Sequence, residues 1–224
     1  MKLVDSWYFP EGETHLPQWM ANPKVRMILN GRPAYQGQKQ EAAISYCKQR
    51  RVAVDVGGHV GLWSFNLAHW FEEVHAFEPV AAHRACFEAN VLTNDSEQDV
   101  YMNNVTLHAY ALGDRDGSVS IRTEPTSSGD SRVDGAGDIP MRTLDSFQLA
   151  NVDLIKIDCE GFELFVLRGA EELLARQKPV VIVEQKPGHA QKFGLGERDA
   201  IPYLESLGYV VAREMAGDFI CVPA

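Results

Sequence analysis

Two acidic residues stand where an α/β sheet would bind a ligand. Asp55 lies in the apolar run 52–56, just before a glycine-rich turn, and Glu78 follows the next apolar run. Ligands of open α/β sheets bind beyond the carboxyl ends of the strands. An acid at Asp55 would oppose a phosphate but suits the amino group of a methionine moiety, and Glu78 can accept both hydroxyls of a ribose. The pattern therefore favours S-adenosylmethionine over NAD, with a purely structural glycine turn as the simpler alternative.

Further cofactor contacts are predicted around the same strand ends. The glycine turn would let a ligand approach the backbone closely, and the end of a third strand would flank the adenine ring. For His59 in the turn, plain packing is the alternative to contact with methionine. The predicted cofactor-binding residues are Asp55, Gly57, Gly58, His59, Gly61, Glu78, Pro79, Ala111, Leu112, Asp114 and Asp158.

A second group of acids follows the predicted fourth strand and could take a proton from an acceptor. Asp158, Glu160 and Glu163 fall within six residues, where capping of a helix N-terminus is the structural alternative. An aliphatic hydroxyl needs a base or a metal to gain alkoxide character. The candidate bases are Asp158, Glu160 and His189, and a solvated loop is the alternative for the histidine.

A metal ion is the other way to activate a hydroxyl. Acidic and amide side chains follow the fourth and fifth predicted strands, and Mg²⁺ prefers oxygen ligands. The sequence leaves this version open beside direct base catalysis. The candidate ligands are Asp158, Glu184 and Gln185.

These side chains need a sheet whose strands run mostly parallel. Apolar runs alternate with stretches of helical spacing, which predicts βαβ units with right-handed crossovers. The chain end is typical of a hairpin that adds an antiparallel edge. Polar loops are predicted at 93–104 and 126–138, the second of them mobile. The predicted strands are 52–56, 74–77, 106–111, 118–122, 139–143, 154–157, 180–183, 209–213 and 219–222, and the predicted helices are 38–50, 62–71, 81–92, 162–175 and 198–207.

The chain length suits one hydrophobic core, because a single core serves up to roughly 250 residues. Residues 1–50 are predicted to form an N-terminal cover segment and a helix, and residues 51–224 the main domain. The aromatic cluster of the cover segment would either wall an acceptor pocket or pack the segment onto the sheet. It consists of Trp7, Tyr8, Phe9 and Trp19.

Composition excludes several partners. The 31 acidic residues outnumber the 21 basic ones, giving a formal charge of -10 and a pI near 5.1, which disfavours binding to duplex nucleic acid. The four cysteines form no Cys-x-x-Cys pair, and no run of about 18 apolar residues could span a membrane. A reducing, cytoplasmic location without membrane contact is expected.

Several blocks of the sequence resemble the FkbM family of S-adenosylmethionine-dependent methyltransferases. The resemblance covers roughly residues 51–185, and the block 155–163 is the most specific. Gly58 and His59 differ from the alanine and asparagine that such proteins often carry. The matching blocks are 54–61, 76–79 with Asn90, 143–146, 155–163 and 167–170.

The resemblance implies a three-layer Rossmann-like fold of the class I methyltransferases. Its sheet would have seven mostly parallel strands in the order 3-2-1-4-5-7-6, with strand 7 antiparallel. The family typically methylates hydroxyl groups of sugars and other small metabolites, so the expected acceptor is a small molecule or a sugar. The alternatives are an RNA or protein methyltransferase on the same fold, or a non-catalytic module that binds S-adenosylmethionine.

Overall fold

A seven-stranded sheet forms the centre of the computed structural model, which describes residues 1–93 and 102–224. The spatial strand order is 3-2-1-4-5-7-6, and β7 runs antiparallel to both of its neighbours while the other pairs are parallel. The predicted fold class and strand order are confirmed. The strands are β1 (Val52–Val56), β2 (Glu73–Phe77), β3 (Val105–His108), β4 (Val152–Ile157), β5 (Val180–Glu184), β6 (Tyr209–Met215) and β7 (Asp218–Pro223).

Helices cover both faces of this sheet, which explains why its central strands are mostly apolar, with Asp55 and Lys156 as a buried charged pair between β1 and β4. In β1, Val52, Val54 and Val56 face one buried cluster and Ala53 faces another. The first cluster includes side chains of α5, α6 and α7, and the second includes side chains of α2 and α3. The helices are α1 (His15–Ala21), α2 (Gly37–Ser45), α3 (Leu62–Trp70), α4 (Ala81–Phe87), α5 (Glu163–Arg168), α6 (Glu171–Gln177) and α7 (Ala200–Ser206).

Short elements complete the described chain. Two hairpins and α1 make up most of the N-terminal segment, and a small three-stranded sheet lies in the connection between β3 and β4. The hairpins pair Lys2–Val4 with Trp7–Phe9, and Met27–Leu29 with Arg32–Ala34. The small sheet contains Ala111–Leu112, Gly117–Val119 and Ile139–Arg142, and Ile121–Arg122 pairs with Arg132–Val133. A π-helical turn spans Glu88–Leu92, and 3-10 turns span Ser128–Asp130, Asp145–Phe147 and Ala190–Phe193.

The helix predicted from 162 to 175 is wrong, because the structure divides it into α5 and α6. Gly169 lies so close to another loop that a Cβ there would be 2.0 Å from the carbonyl oxygen of Gly113. The carboxylate of Asp145 caps the N-terminus of α6, because it accepts hydrogen bonds from the backbone amides of Glu172 and Leu173, both at 2.9 Å. Asp145, in the block 143–146, therefore has a structural role.

Two predictions for the middle of the chain also need correction. The third strand was predicted at 106–111, but β3 ends at His108 and Ala111 pairs with Met141 in the small sheet. The polar stretch 126–138 contains a 3-10 turn and a paired strand. The loop predicted at 93–104 lies largely outside the described residues.

The N-terminal segment packs on the main sheet's helices. Trp7 and Phe9 are buried in a cluster with Val60 and Phe65. Asn90 ties this segment to the glycine turn, because its amide donates to the carbonyl oxygens of Tyr8 and Val60. The domain boundary at residue 50 stays a prediction. Within residues 1–93 and 102–224, no helix combines the length and apolar character of a membrane span.

Candidate functional site

The glycine turn after β1 brings the ends of three strands together. Gly57 has φ +78°, and a Cβ at this position would lie 2.1 Å from the carbonyl oxygen of Asp158 at the end of β4. The amides of Gly57 and Gly58 both donate to the carbonyl oxygen of Phe77 at the end of β2. Gly61, with φ +90°, lets α3 begin against Val91, which a Cβ would meet at 2.6 Å. Only glycine satisfies both positions.

A cavity of about 600 Å³ lies beyond the ends of β1 and β2. Most of the predicted cofactor residues meet there although they come from separate parts of the chain. Gly58 instead lines a neighbouring cavity, and Gly61 starts α3. The predicted residues on the wall of the first cavity, called the cofactor cavity below, are Gly57, His59, Glu78, Pro79, Ala111, Leu112 and Asp158.

Glu78 is the central acid of the cofactor cavity. Its side chain is buried and accepts hydrogen bonds from the backbone amides of His59 and Val80, each at 2.8 Å. His83 Nδ1 lies 3.3 Å from the same carboxylate. A carboxylate has about four acceptor positions, so these partners fix its orientation while capacity remains for a ligand hydroxyl.

The prediction is wrong for two of the cofactor-binding residues, Asp55 and Asp114, because neither lines the cofactor cavity. Asp55 is fully buried inside the sheet, where Ser64 donates to it at 2.6 Å and Lys156 Nζ lies 3.2 Å away. Its carboxylate therefore neutralises a lysine of the neighbouring strand and does not face the cofactor cavity. Asp114 lies 3.6 Å from Arg115 and is not on the cavity wall.

Sequence reasoning missed several residues of the cofactor cavity. Ile121, Ser128, Gly129, Arg132 and Val133 reach it from the connection between β3 and β4. In that connection the sequence predicts short strands and a polar loop, and neither pattern indicates that the segment returns to the strand ends. His83 and Phe162, which also line the cavity, lie on or beside helices that bury other side chains as well, so burial does not distinguish them.

A second cavity, of about 640 Å³, adjoins the first. The two cavities share Gly57, His59, Gly129 and Asp158. Apolar and charged groups are mixed on the wall of the second cavity. The apolar and aromatic residues are Leu16, Tyr35, Leu62 and Trp63, and the polar and charged residues are His15, Asp130, Lys156, Asp158, Glu160 and Lys186. None of the four aromatic residues predicted to wall an acceptor pocket lies on it.

Charge balance governs the second cavity, called the acid cavity below. Burial opposes ionisation of Asp158, but Lys156 and Lys186 lower its pKa overall. Burial and the charge of Asp158 raise the pKa of Glu160 to about 8 and that of Glu184 to about 10. At neutral pH, Asp158 is therefore the ionised acid of this group, and Glu184 holds a proton.

The catalytic candidates Glu160 and His189 lie in contact. His189 Nδ1 is 2.7 Å from Glu160 Oε2, and the imidazole is one-quarter exposed. Burial together with Lys192 and Lys186 lowers the pKa of His189, so the imidazole is neutral at pH 7. The pair thus links the acid cavity to solvent by two groups that can each carry a proton.

Of the metal ligands predicted from sequence, Glu184 belongs to a group of side chains that could hold an ion, whereas Asp158 and Gln185 do not belong to it. The side chain of Gln185 makes other hydrogen bonds. Its Nε2 donates to Glu163, and its Oε1 accepts from the backbone amide of Ala200 at 3.2 Å. In the described ranges, the side chains grouped closely enough to hold an ion are Glu160, Glu184 and His189. Lys186 Nζ lies 2.7 Å from Glu184, and its positive charge opposes the binding of a cation there. Mg²⁺ prefers an all-oxygen shell, so this donor set does not suit it.

Comparisons with known proteins place this chain among methyltransferases. A family model described as the methyltransferase FkbM domain matches residues 55–211. A crystal structure of a methyltransferase FkbM from Methylobacillus flagellatus KT is 21% identical, with a TM-score of 0.53 over 77% of this chain and 42% of that one. The present chain therefore spans less than half the length of that protein.

Other solved structures share the fold at lower identity. Precorrin 8W decarboxylase from Methanobacterium thermoautotrophicum is 17% identical, with a TM-score of 0.51 over 91% of this chain and 95% of that one. A putative rRNA-methylase from Clostridium thermocellum is 12% identical, with a TM-score of 0.51 over 88% and 99%. No curated protein matches the sequence.

Proposed function

The chain belongs to the FkbM family of S-adenosylmethionine-dependent methyltransferases, and from this premise we propose that it methylates a hydroxyl group of a small metabolite or sugar. The cofactor cavity would hold S-adenosylmethionine, with Glu78 at the ribose. The acid cavity would hold the acceptor. Methyl transfer is an in-line displacement at a sulfonium, so the two ligands must meet end to end.

One observation carries this proposal: the two cavities adjoin at Asp158. Asp158 lines both of them, and its side chain is about one-fifth exposed. An ionised carboxylate at the junction would stabilise the cationic sulfonium and accept a hydrogen bond from the attacking hydroxyl. Asp158 would therefore orient the reacting groups, while its lowered pKa makes it a weak base.

Glu160 is the better base for the acceptor proton. It lines the acid cavity, and its pKa of about 8 lies close to the pH at which a general base works best. When bound, S-adenosylmethionine would supply the methyl group: its carbon–sulfur bond would break as the bond to the hydroxyl oxygen forms, leaving S-adenosylhomocysteine with an uncharged sulfur. The hydroxyl proton passes to Glu160, and His189 Nδ1 can relay it to solvent.

The walls of the acid cavity support a polar acceptor with an apolar face. Tyr35 and Trp63 offer ring surfaces, and Asp158 and Glu160 offer hydrogen-bond acceptors. Aromatic rings beside carboxylates suit a hydroxylated ring such as a sugar. The formal charge of -10 argues against the alternative of an RNA acceptor, because phosphates would be repelled.

Calorimetry with S-adenosylhomocysteine tests the cofactor site. We expect Glu78→Ala to weaken binding at least ten-fold, since it removes a charge-assisted contact to the ribose. Glu73→Ala is the matched control, because Glu73 begins the same strand and is about half exposed. Equal affinities of the two variants would remove the ribose assignment.

Transfer of labelled methyl groups from S-adenosylmethionine to a panel of monosaccharides and oligosaccharides, with transfer RNA as a comparison, tests the reaction. We expect Glu160→Gln to lower kcat at least 100-fold with nearly unchanged affinity for S-adenosylhomocysteine. The wild-type rate should rise with pH towards 8 as Glu160 ionises. Transfer only to RNA would overturn the small-acceptor proposal, and no transfer to any acceptor would favour a binding module.

A further inference from the structure

A loop between β3 and β4 forms one wall of both cavities. This cleft loop, defined as residues 124–131, places Ser128, Gly129 and Ser131 on the cofactor cavity and Gly129 and Asp130 on the acid cavity. Ser128 is itself buried, with 3% of its surface exposed. A ligand that bridges the two cavities would therefore lie between the strand ends and this loop.

The N-terminal segment holds the cleft loop through one buried acid. Glu13 is fully buried, and its Oε2 accepts hydrogen bonds from both the backbone amide and the hydroxyl of Ser128. Its Oε1 accepts from the backbone amide of Leu16 at 2.9 Å, at the start of α1. The backbone amides of Thr14 and His15 also donate to the carbonyl oxygen of Thr126, at 3.1 and 3.2 Å.

The contact continues from the cleft loop into the glycine turn. His59 Nε2 lies 2.8 Å from Ser128 Oγ. Because the serine hydroxyl donates its hydrogen to Glu13, it accepts from His59, which requires the Nε2–H form of the ring. The backbone amide of His59 in turn donates to Glu78. A series of hydrogen bonds through Glu13, Ser128 and His59 thus connects the N-terminal segment to Glu78, the acid proposed to bind the ribose.

We propose that Glu13 is a positioning residue which holds the cleft loop across the bound cofactor and so controls how fast the cofactor leaves. This inference rests on the proposed function, since it takes the cofactor cavity as the site of S-adenosylmethionine. A carboxylate suits the task because one oxygen accepts two hydrogen bonds from Ser128 while the other anchors α1. Glutamine at this position would offer a single carbonyl oxygen for the same three donors.

Stopped-flow displacement of S-adenosylhomocysteine tests this role. We expect Glu13→Gln to raise the dissociation rate at least five-fold, because the cleft loop opens more often. Glu11→Gln is the matched control on the same segment, since the Glu11 side chain is 80% exposed and contacts only the N-terminal amine among the described residues. Equal dissociation rates for Glu13→Gln and Glu11→Gln would overturn the inference.

A second variant separates positioning from a purely structural effect. Ser128→Ala keeps the backbone bond to Glu13 but removes the hydroxyl link to both Glu13 and His59. We expect it to raise the dissociation rate two- to five-fold, and less than additively when combined with Glu13→Gln. A lowered melting temperature with an unchanged dissociation rate in either folded variant would overturn the inference. Failure of the wild type to bind S-adenosylhomocysteine would instead contradict the proposed function.

Discussion

The cofactor cavity and the acid cavity adjoin, yet different forces shape them. Backbone geometry shapes the first, where Gly57 has room for no side chain and backbone amides orient Glu78. Charge balance shapes the second, where Lys156 lies 3.9 Å from Asp158 and Lys186 also lowers the pKa of that carboxyl. The cofactor cavity should therefore be sensitive to added atoms, and the acid cavity to lost charges.

Loss of a buried charge should have the largest effect. Lys156 lies between Asp55 and Asp158, at 3.2 and 3.9 Å, and is 7% exposed. We expect Lys156→Met to lower the free energy of unfolding by about 3–5 kcal/mol, because it leaves a buried carboxylate without its partner. Urea denaturation measures this loss. Lys186→Met, at a lysine that is 38% exposed, should cost about 1 kcal/mol. If Lys156→Met and Lys186→Met lowered the free energy of unfolding by similar amounts, burial of the charge at Lys156 would not explain its contribution to stability.

A single added carbon should have the next largest effect, in the cofactor cavity. Gly57→Ala combines a positive φ with a Cβ that would meet the backbone of Asp158. We expect it to cost about 2–3 kcal/mol of stability and to abolish measurable binding of S-adenosylhomocysteine. In Gly58→Ala the nearest neighbours are side-chain atoms at 3.3 and 3.4 Å, so the cost should stay within about 1 kcal/mol. If Gly57→Ala and Gly58→Ala lost similar amounts of stability in urea denaturation and of affinity in calorimetry, the argument from the backbone geometry of Gly57 would be contradicted.

The dependence of stability on pH should show a graded effect, smaller for each pH unit, that originates in the acid cavity. Burial and Asp158 raise the pKa of Glu160 from 4.5 to about 8. The folded chain keeps this proton above pH 4.5 while the unfolded chain releases it. Stability is therefore lost as the pH rises from 4.5 to 8, by up to about 1.4 kcal/mol per pH unit. Unfolding at pH 6, 7 and 8 should show a flatter slope in Glu160→Gln, and parallel slopes would refute this assignment.

The predictions that succeeded concern residues whose partners are close in sequence or repeat along it. The apolar runs identified the central strands, and the glycine turn and Glu78 were found because they directly follow two of those runs. Asp55 and Gln185 were misjudged for the opposite reason. Each lies at a strand end as predicted, but a side chain or backbone group from a separate part of the chain occupies its polar atoms.

The N-terminal segment shows the same limit. The sequence drew attention to its aromatic residues. The structure shows that Glu13 contacts Ser128, 115 residues away, in the cleft loop that lines both cavities. Neither residue stands in a recognisable motif. An isolated acid in a proline-rich and glycine-rich segment has the appearance of an exposed residue, whereas the structure buries it completely.

The sequence by itself determined the layered α/β class and the glycine turn between β1 and α3, because both depend on the spacing of apolar residues and on glycines, which act over a few neighbouring positions. The family was indicated by the resemblance of several blocks of the sequence and confirmed by the family model. Only the tertiary structure decided which acids face a ligand and which neutralise a lysine. A carboxylate pairs with whatever donor the neighbouring strands and loops bring within hydrogen-bond distance, and those neighbours are set by the folded sheet.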